Sequence, residues 1–129
     1  MSVDPSTELE KLADTYVTAY NTEDYETLEK VLDPNIRMRH FNRGVDGTGA
    51  APAIQQMKDF SAILPDKGFT ERSLITQIDD ETVVVRHVWG GSLKADLPGF
   101  GSEGDKLALT LVTFMTFANG RLVDYQDYG

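Results

Sequence analysis

The chain has 129 residues, 40% hydrophobic and 26% charged, which is the composition of one globular domain able to bury a core. Its formal net charge of −9 argues against nucleic acid or an anionic membrane surface as a partner. It has no cysteine, which excludes disulfide and thiolate chemistry, and no apolar run approaches the roughly 20 residues that span a bilayer.

The missing cysteines and the polar start MSVDPS, which does not read as a signal peptide, point to a reducing, cytoplasmic setting. Ser6 or Thr7 caps a first helix, and Glu10 completes a capping box with Thr7. Leu9, Leu12, Ala13, Tyr16, Val17, Ala19 and Tyr20 then form one apolar helical stripe. Thr22 or Asp24 caps a short second helix to about Leu32, ended by Pro34. Asn35 to Asn42 alternates Ile36, Met38 and His40 against Arg37, Arg39 and Phe41, a strand with the first set inward. Gly44 to Gly47 reads as a turn. A third helix runs from about Ala50 to Leu64, with Pro52 in its first turn and Ala53, Ile54, Met57, Phe60, Ser61 and Leu64 buried.

Strands fill the remainder. Phe69 to Ile78 is one run, and Thr82 to about Lys94 is another, in which Gly90-Gly91 implies a bulge or bend. Asp96 to Asp105 carries three glycines and a proline and predicts a mobile loop at a pocket mouth. KLALTLVTFMTF and RLVDYQDY are joined at Asn119-Gly120, a hairpin signal because both residues tolerate positive φ. In the last strand Val123, Tyr125 and Asp127 share one face. Helices first and strands after define an α+β domain over residues 1–129, three helices on one face of a bent antiparallel or mixed sheet. The apolar run KLALTLVTF needs cover on both faces, so a homodimer through the outer face is expected.

This element order, from about Glu8 to Tyr128, resembles the nuclear-transport-factor-2-like fold. Within it the chain is most similar to SnoaL-like polyketide cyclases, ketosteroid isomerases and limonene-epoxide hydrolases. The resemblance implies a cone that holds a small hydrophobic ligand, such as a polyketide, steroid or terpenoid carbonyl compound or epoxide, without a cofactor. The ending GRLVDYQDY resembles the terminal strand whose catalytic aspartate stands seven residues after the hairpin glycine, here Asp127. The helix TYVTAYNTEDYETLEKVL resembles the isomerase helix whose tyrosine donates to an oxyanion, here Tyr16. The isomerase base position falls on His40. Two departures narrow the likeness. Thr113 (or Val112) stands where the isomerase has a protonated acid, and Arg86-His87-Val88 stands where the epoxide hydrolases have Arg-x-Asp. The cyclase-like reading departs least.

Asp127, His40 and Tyr16 are therefore the expected catalytic set. Proton transfer needs a donor and an acceptor held together, and imidazole titrates near pH 7. Tyr20, Met38, His87, Trp89, Thr113 and Tyr125 are the expected substrate contacts. The plain alternatives are a solvated acid at Asp127, a hydrogen-bonded core histidine at His40 and core tyrosines at 16 and 20. No close-spaced metal-ligand motif is present, and a metal site would need His40, His87 and Asp127 to converge. Two functions follow. One is a cofactor-independent enzyme for cyclisation, isomerisation or hydration by general acid–base catalysis. The other is a non-catalytic ligand-binding or dimerisation module of the same fold. Whether Tyr16, His40 and Asp127 meet around one cavity discriminates them.

Overall fold

The structure is a computed structural model that describes residues 3–129; Met1 and Ser2, the first residues of the polar start, lie outside the described residues. Thr7 caps α1 (Glu8–Asn21), and both halves of the capping box with Glu10 are present. Glu10 does more than cap. It is buried, and its second carboxylate oxygen accepts from the Gln77 backbone N–H at 2.9 Å. Backbone N–H groups of Ser6 and Gln77 hold its carboxyl at about 2, well below the usual range. At the other end, the Asn21 amide both donates to and accepts from the Phe69 backbone, at 2.9 and 2.8 Å. The helix is thus pinned at both ends to one strand, which fixes Tyr16 and Tyr20 in height and rotation.

Asp24 caps α2 (Tyr25–Val31), which stops one residue short of the expected Leu32. β1 (Leu32–His40) starts three residues earlier than the alternation suggested, and a register shift between Leu32 and Arg37 absorbs Pro34, which lacks a donor for the ladder. A 3₁₀ turn (Phe41–Arg43) follows. The expected turn at 44–47 is instead mostly a short edge strand, β2 (Val45–Thr48), antiparallel to β1. Its Asp and Gly gave no strand signal; pairing with β1 overrides that weak propensity. α3 (Ala50–Ile63) packs Ile54 and Met57 inward. β3 (Gly68–Gln77), β4 (Thr82–Ser92), β5 (Lys106–Ala118) and β6 (Arg121–Tyr128) complete the sheet.

The six strands lie in the order β2-β1-β6-β5-β4-β3. Every neighbouring pair is antiparallel except β1 and β6, which run parallel, so the sheet is mixed. The last strand enters between the first and the fifth. Asn119 and Gly120 have φ of 53° and 75°, the two positive values a tight hairpin turn needs. The Gly90-Gly91 pair is not a bulge, since the β4–β5 register runs through it unbroken. It permits a close backbone approach instead: a Cβ on Gly90 would sit 1.8 Å from the Leu107 carbonyl oxygen. Register shifts lie elsewhere, in β3 between Thr70 and Leu74 and, as a bulge, in β6. Thr116 pairs with Asp124 and Phe117 with Leu122, which leaves Val123 as the extra residue. The inward set is therefore Leu122, Tyr125 and Asp127, and Val123 does not share their face as the simple alternation had it.

The core lies between the helices and the inner face of the sheet, centred on Ala13, Leu28, Ile36, Met115 and Leu122. On the outer face, Arg39 donates from Nη2 to both oxygens of Asp124 at 3.0 Å, and Arg37 pairs with Asp46 at 3.0 Å. These ion pairs close within the chain. Phe114 also lies on this outer face, packed edge-on against Tyr128, and does not fill the interior.

Candidate active site

A cavity with about 60 Å³ of free space opens between α1, α3 and the inner sheet face. Its walls come from five adjacent strands, through Met38, Tyr125, Leu111, Trp89 and Phe69. Strands about 4.8 Å apart reach one such cavity only if the sheet curves around it. Buried side chains, Tyr16, Met57, Phe69, Tyr125 and Asp127, form the floor. Asn42, Arg43, Gln56 and Phe100 are more exposed and form the mouth.

The chemistry sits in one row across the sheet. His40 on β1, Asp127 on β6 and Thr113 on β5 are register partners in turn, all facing inward. His40 Nδ1 lies 2.7 Å from Asp127 Oδ2. The Asp127 side chain is 2% exposed and that of His40 31%, so the acid is at the floor and the imidazole reaches toward solvent. The Thr113 hydroxyl donates to Asp127 Oδ1 at 2.5 Å. With its proton so committed, Thr113 Oγ1 accepts from His87 Nε2–H at 3.0 Å. That direction fixes neutral His87 as the Nε2–H tautomer and leaves Nδ1 a bare, buried lone pair without a partner. The ring stacks on Phe69, centroids 4.4 Å apart. Burial pushes His87 down to about 4, the Asp127 charge opposes this, and Arg72 adds to it. His87 is neutral at neutral pH.

Asp127 thus has two unlike oxygens. Oδ1 is held by Thr113. Oδ2 is buried and meets His40 Nδ1 at 2.7 Å, which leaves one of its lone pairs uncommitted. A buried acceptor left open at the floor of a cavity is positioned to take a proton from a bound molecule.

Around this row stand three tyrosines. Tyr16 and Tyr125 have ring centroids 5.4 Å apart, and His40 meets the Tyr125 ring at 5.9 Å. Burial, and after it neighbouring negative charge, raises both phenols well above their ordinary value, so both stay protonated donors. Tyr20 is also raised by burial, and its oxygen accepts from Trp89 Nε1–H at 2.9 Å.

The structure therefore brings Asp127, His40 and Tyr16 to one cavity, with Tyr20, Met38, Trp89 and Tyr125 on its walls. His87 and Thr113, expected as substrate contacts, do not line it. They lie behind Asp127, because β5 places Thr113 beside the acid and β4 places His87 under Phe69. No three His, Asp or Glu side chains are grouped to hold a metal ion among the described residues. Sequence reasoning missed Arg43, which sits in a three-residue turn without periodicity. It also gave no role to Phe100, although the Asp96–Asp105 loop was expected at the mouth and does border it there. The loop is tied by Leu97–Gly101 bridging and by Glu103 N–H to Asp96 at 2.8 Å.

Three helices on this mixed six-stranded sheet, with a cavity between them, make the nuclear-transport-factor-2-like fold. The family model of the SnoaL-like polyketide cyclases matches residues 10–129, and the chain belongs to that family. Solved structures agree in fold. A candidate polyketide cyclase from Pseudomonas putida matches with TM-score 0.80 at 18% identity, over 96% of this chain and 92% of that one. IdmH, a candidate polyketide cyclase from Streptomyces antibioticus, matches with TM-score 0.77 at 18% identity, over 95% and 91%. A Catenulispora acidiphila protein with a ketosteroid isomerase-like fold, bound to trimethylamine, matches with TM-score 0.77 at 15% identity, over 96% and 87%. No curated protein matches the sequence significantly. Among the described residues, no helix is long and apolar enough to cross a membrane.

Proposed function

We propose that this protein is a cofactor-independent cyclase acting on a hydrophobic compound with two carbonyl groups, by an intramolecular aldol-type closure. The single observation that carries this is Asp127: its Oδ1 is fixed by Thr113, and its Oδ2 is open and buried, 2.7 Å from His40 at the floor of an apolar cavity. Oδ2 takes the proton from the carbon between or beside the carbonyls. Tyr16, held as a neutral phenol, donates to the oxygen on which enolate charge develops. The enolate carbon then attacks the second carbonyl, one C–C bond forms, and the new alkoxide takes back the proton from Asp127. No atom is gained or lost, so the step needs neither an oxidant nor water. His40 Nδ1, 2.7 Å from the acid and nearer to solvent, can relay the proton outward.

The test is Asp127→Asn, which keeps the shape and the Thr113 contact. It should fold normally and lose on the order of a hundredfold or more in turnover of a substrate found by ligand screening, the usual scale for a general acid–base group. Full activity in Asp127→Asn would leave a non-catalytic binding module as the better reading.

A further inference from the structure

The mouth of the cavity carries a cation with no counter-charge. The chain holds 21 acidic and 12 basic side chains, so a basic group has an excess of possible partners. Three other arginines take them: Arg37 pairs with Asp46 at 3.0 Å, Arg39 with Asp124 at 3.0 Å, and Arg72 with Asp14 at 2.8 Å, while Arg86 and Arg121, which have no such pair, do not line the cavity. Arg43 does not. It lines the cavity, and among the described residues no carboxylate lies within ion-pair distance of its guanidinium. Its Nε is buried and without a hydrogen-bond partner.

The guanidinium is nevertheless held in place. Its central carbon stands 5.5 Å from the centroid of the Phe100 ring, over the ring face, so the Asp96–Asp105 loop fixes it from one side. The 3₁₀ turn that carries Arg43 leads directly from His40, the residue beside Asp127. Asn42 and Gln56 place neutral amides at the same mouth. A planar cation, fixed by an aromatic ring and without a counter-charge, presents its two Nη groups side by side at the mouth. That edge matches the two oxygens of a carboxylate.

We infer that Arg43 forms an anion subsite at the cavity mouth and that the bound molecule is a small carboxylate no larger than a single ring, its apolar end in the cavity of about 60 Å³ and its acid group on Arg43. A carboxylate there accepts from the two Nη groups and neutralises the charge, and it anchors the far end of the molecule while the reacting carbons face Asp127 and Tyr16. An ester or an amide presents only a carbonyl oxygen and leaves the charge uncompensated.

The inference rests on the cavity being the substrate site, and the experiment separates the two ideas. The probes are small aliphatic and single-ring carboxylic acids, each with its methyl ester, measured at pH 7.5 by calorimetry. The sequence has one tryptophan, Trp89, and it lines the cavity, so quenching of its fluorescence reports where a probe sits. In the wild type the acids should bind roughly tenfold or more tightly than their esters, and quench Trp89. Arg43→Met should weaken the acids roughly tenfold to a hundredfold and leave the esters within about twofold. Arg43→Lys, which keeps the charge without the fork, should fall between. Equal binding of acids and esters in the wild type overturns the subsite and leaves the cavity reading standing. Equal weakening of both by Arg43→Met does the same. If no probe binds or quenches Trp89, subsite and cavity reading fall together.

Discussion

Replacing Thr113 by valine isolates the contact that fixes Asp127. The side chain is fully buried, and valine refills its space, so little packing is lost. Two polar losses remain. Asp127 Oδ1 loses a 2.5 Å hydrogen bond to a carboxylate, worth about 1.5–3 kcal/mol. His87 Nε2–H loses its acceptor at 3.0 Å, which costs about 1–3 kcal/mol for a buried donor left unmade. Together Thr113→Val should cost about 3–5 kcal/mol, well above the usual surface substitution. Urea unfolding followed by circular dichroism at pH 7 measures it. In a domain of this size the melting point should fall by about 10–20 °C. Adding His87→Leu removes the stranded donor, so the double variant should lose at least about 1 kcal/mol less than the sum of the singles. A cost for Thr113→Val under about 1 kcal/mol, or strict additivity with His87→Leu, would refute the relay.

The same histidine makes stability depend on pH. Its folded value is depressed from 6.5 to about 4, so its neutral form stabilises the fold fully above about 6.5, and that contribution is lost as pH falls through about 4. The loss is on the order of 3 kcal/mol, and His87→Leu should flatten the stability curve across that window; an unchanged curve would count against it. Gly90→Ala should prevent folding or cost more than about 3 kcal/mol, since its Cβ would overlap the Leu107 carbonyl; an unfolding curve like the wild type would show the approach is not tight. A homodimer through the outer face, where Val112 and Phe114 are half-buried, should be seen by light scattering at micromolar concentration, and a monomer would rule it out.

What the sequence revealed depended on whether a signal was local. The Thr7–Glu10 box, the Asn119-Gly120 turn and the inward alternation of His40 are each set by a few adjacent residues, and all three are present as read. The meeting of His40 with Asp127 followed from two alternations and a resemblance. The parallel pairing that makes them neighbours carries no local mark, and neither does the bulge at Val123, which swaps that residue for Leu122 on the inner face. His87 and Thr113, expected as substrate contacts, face inward but do not line the cavity. Alternation tells which face a side chain takes, not how deep another ring lies over it. Here Phe69 covers His87.

The parallel join of β1 and β6 also bears on how the protein reaches its working state. It unites segments far apart in the chain: Arg39 and Asp124, paired across it, are 85 residues apart. Such long-range closures are slow, because the loop entropy is lost before the contacts form. The β5–β6 hairpin and the three helices can assemble locally, and none of them contains both His40 and Asp127. His40 and Asp127 therefore meet only in molecules in which this long-range join has closed. In refolding, the contact of His40 with Asp127 should return with the closure of the sheet and not with the early rise in helicity.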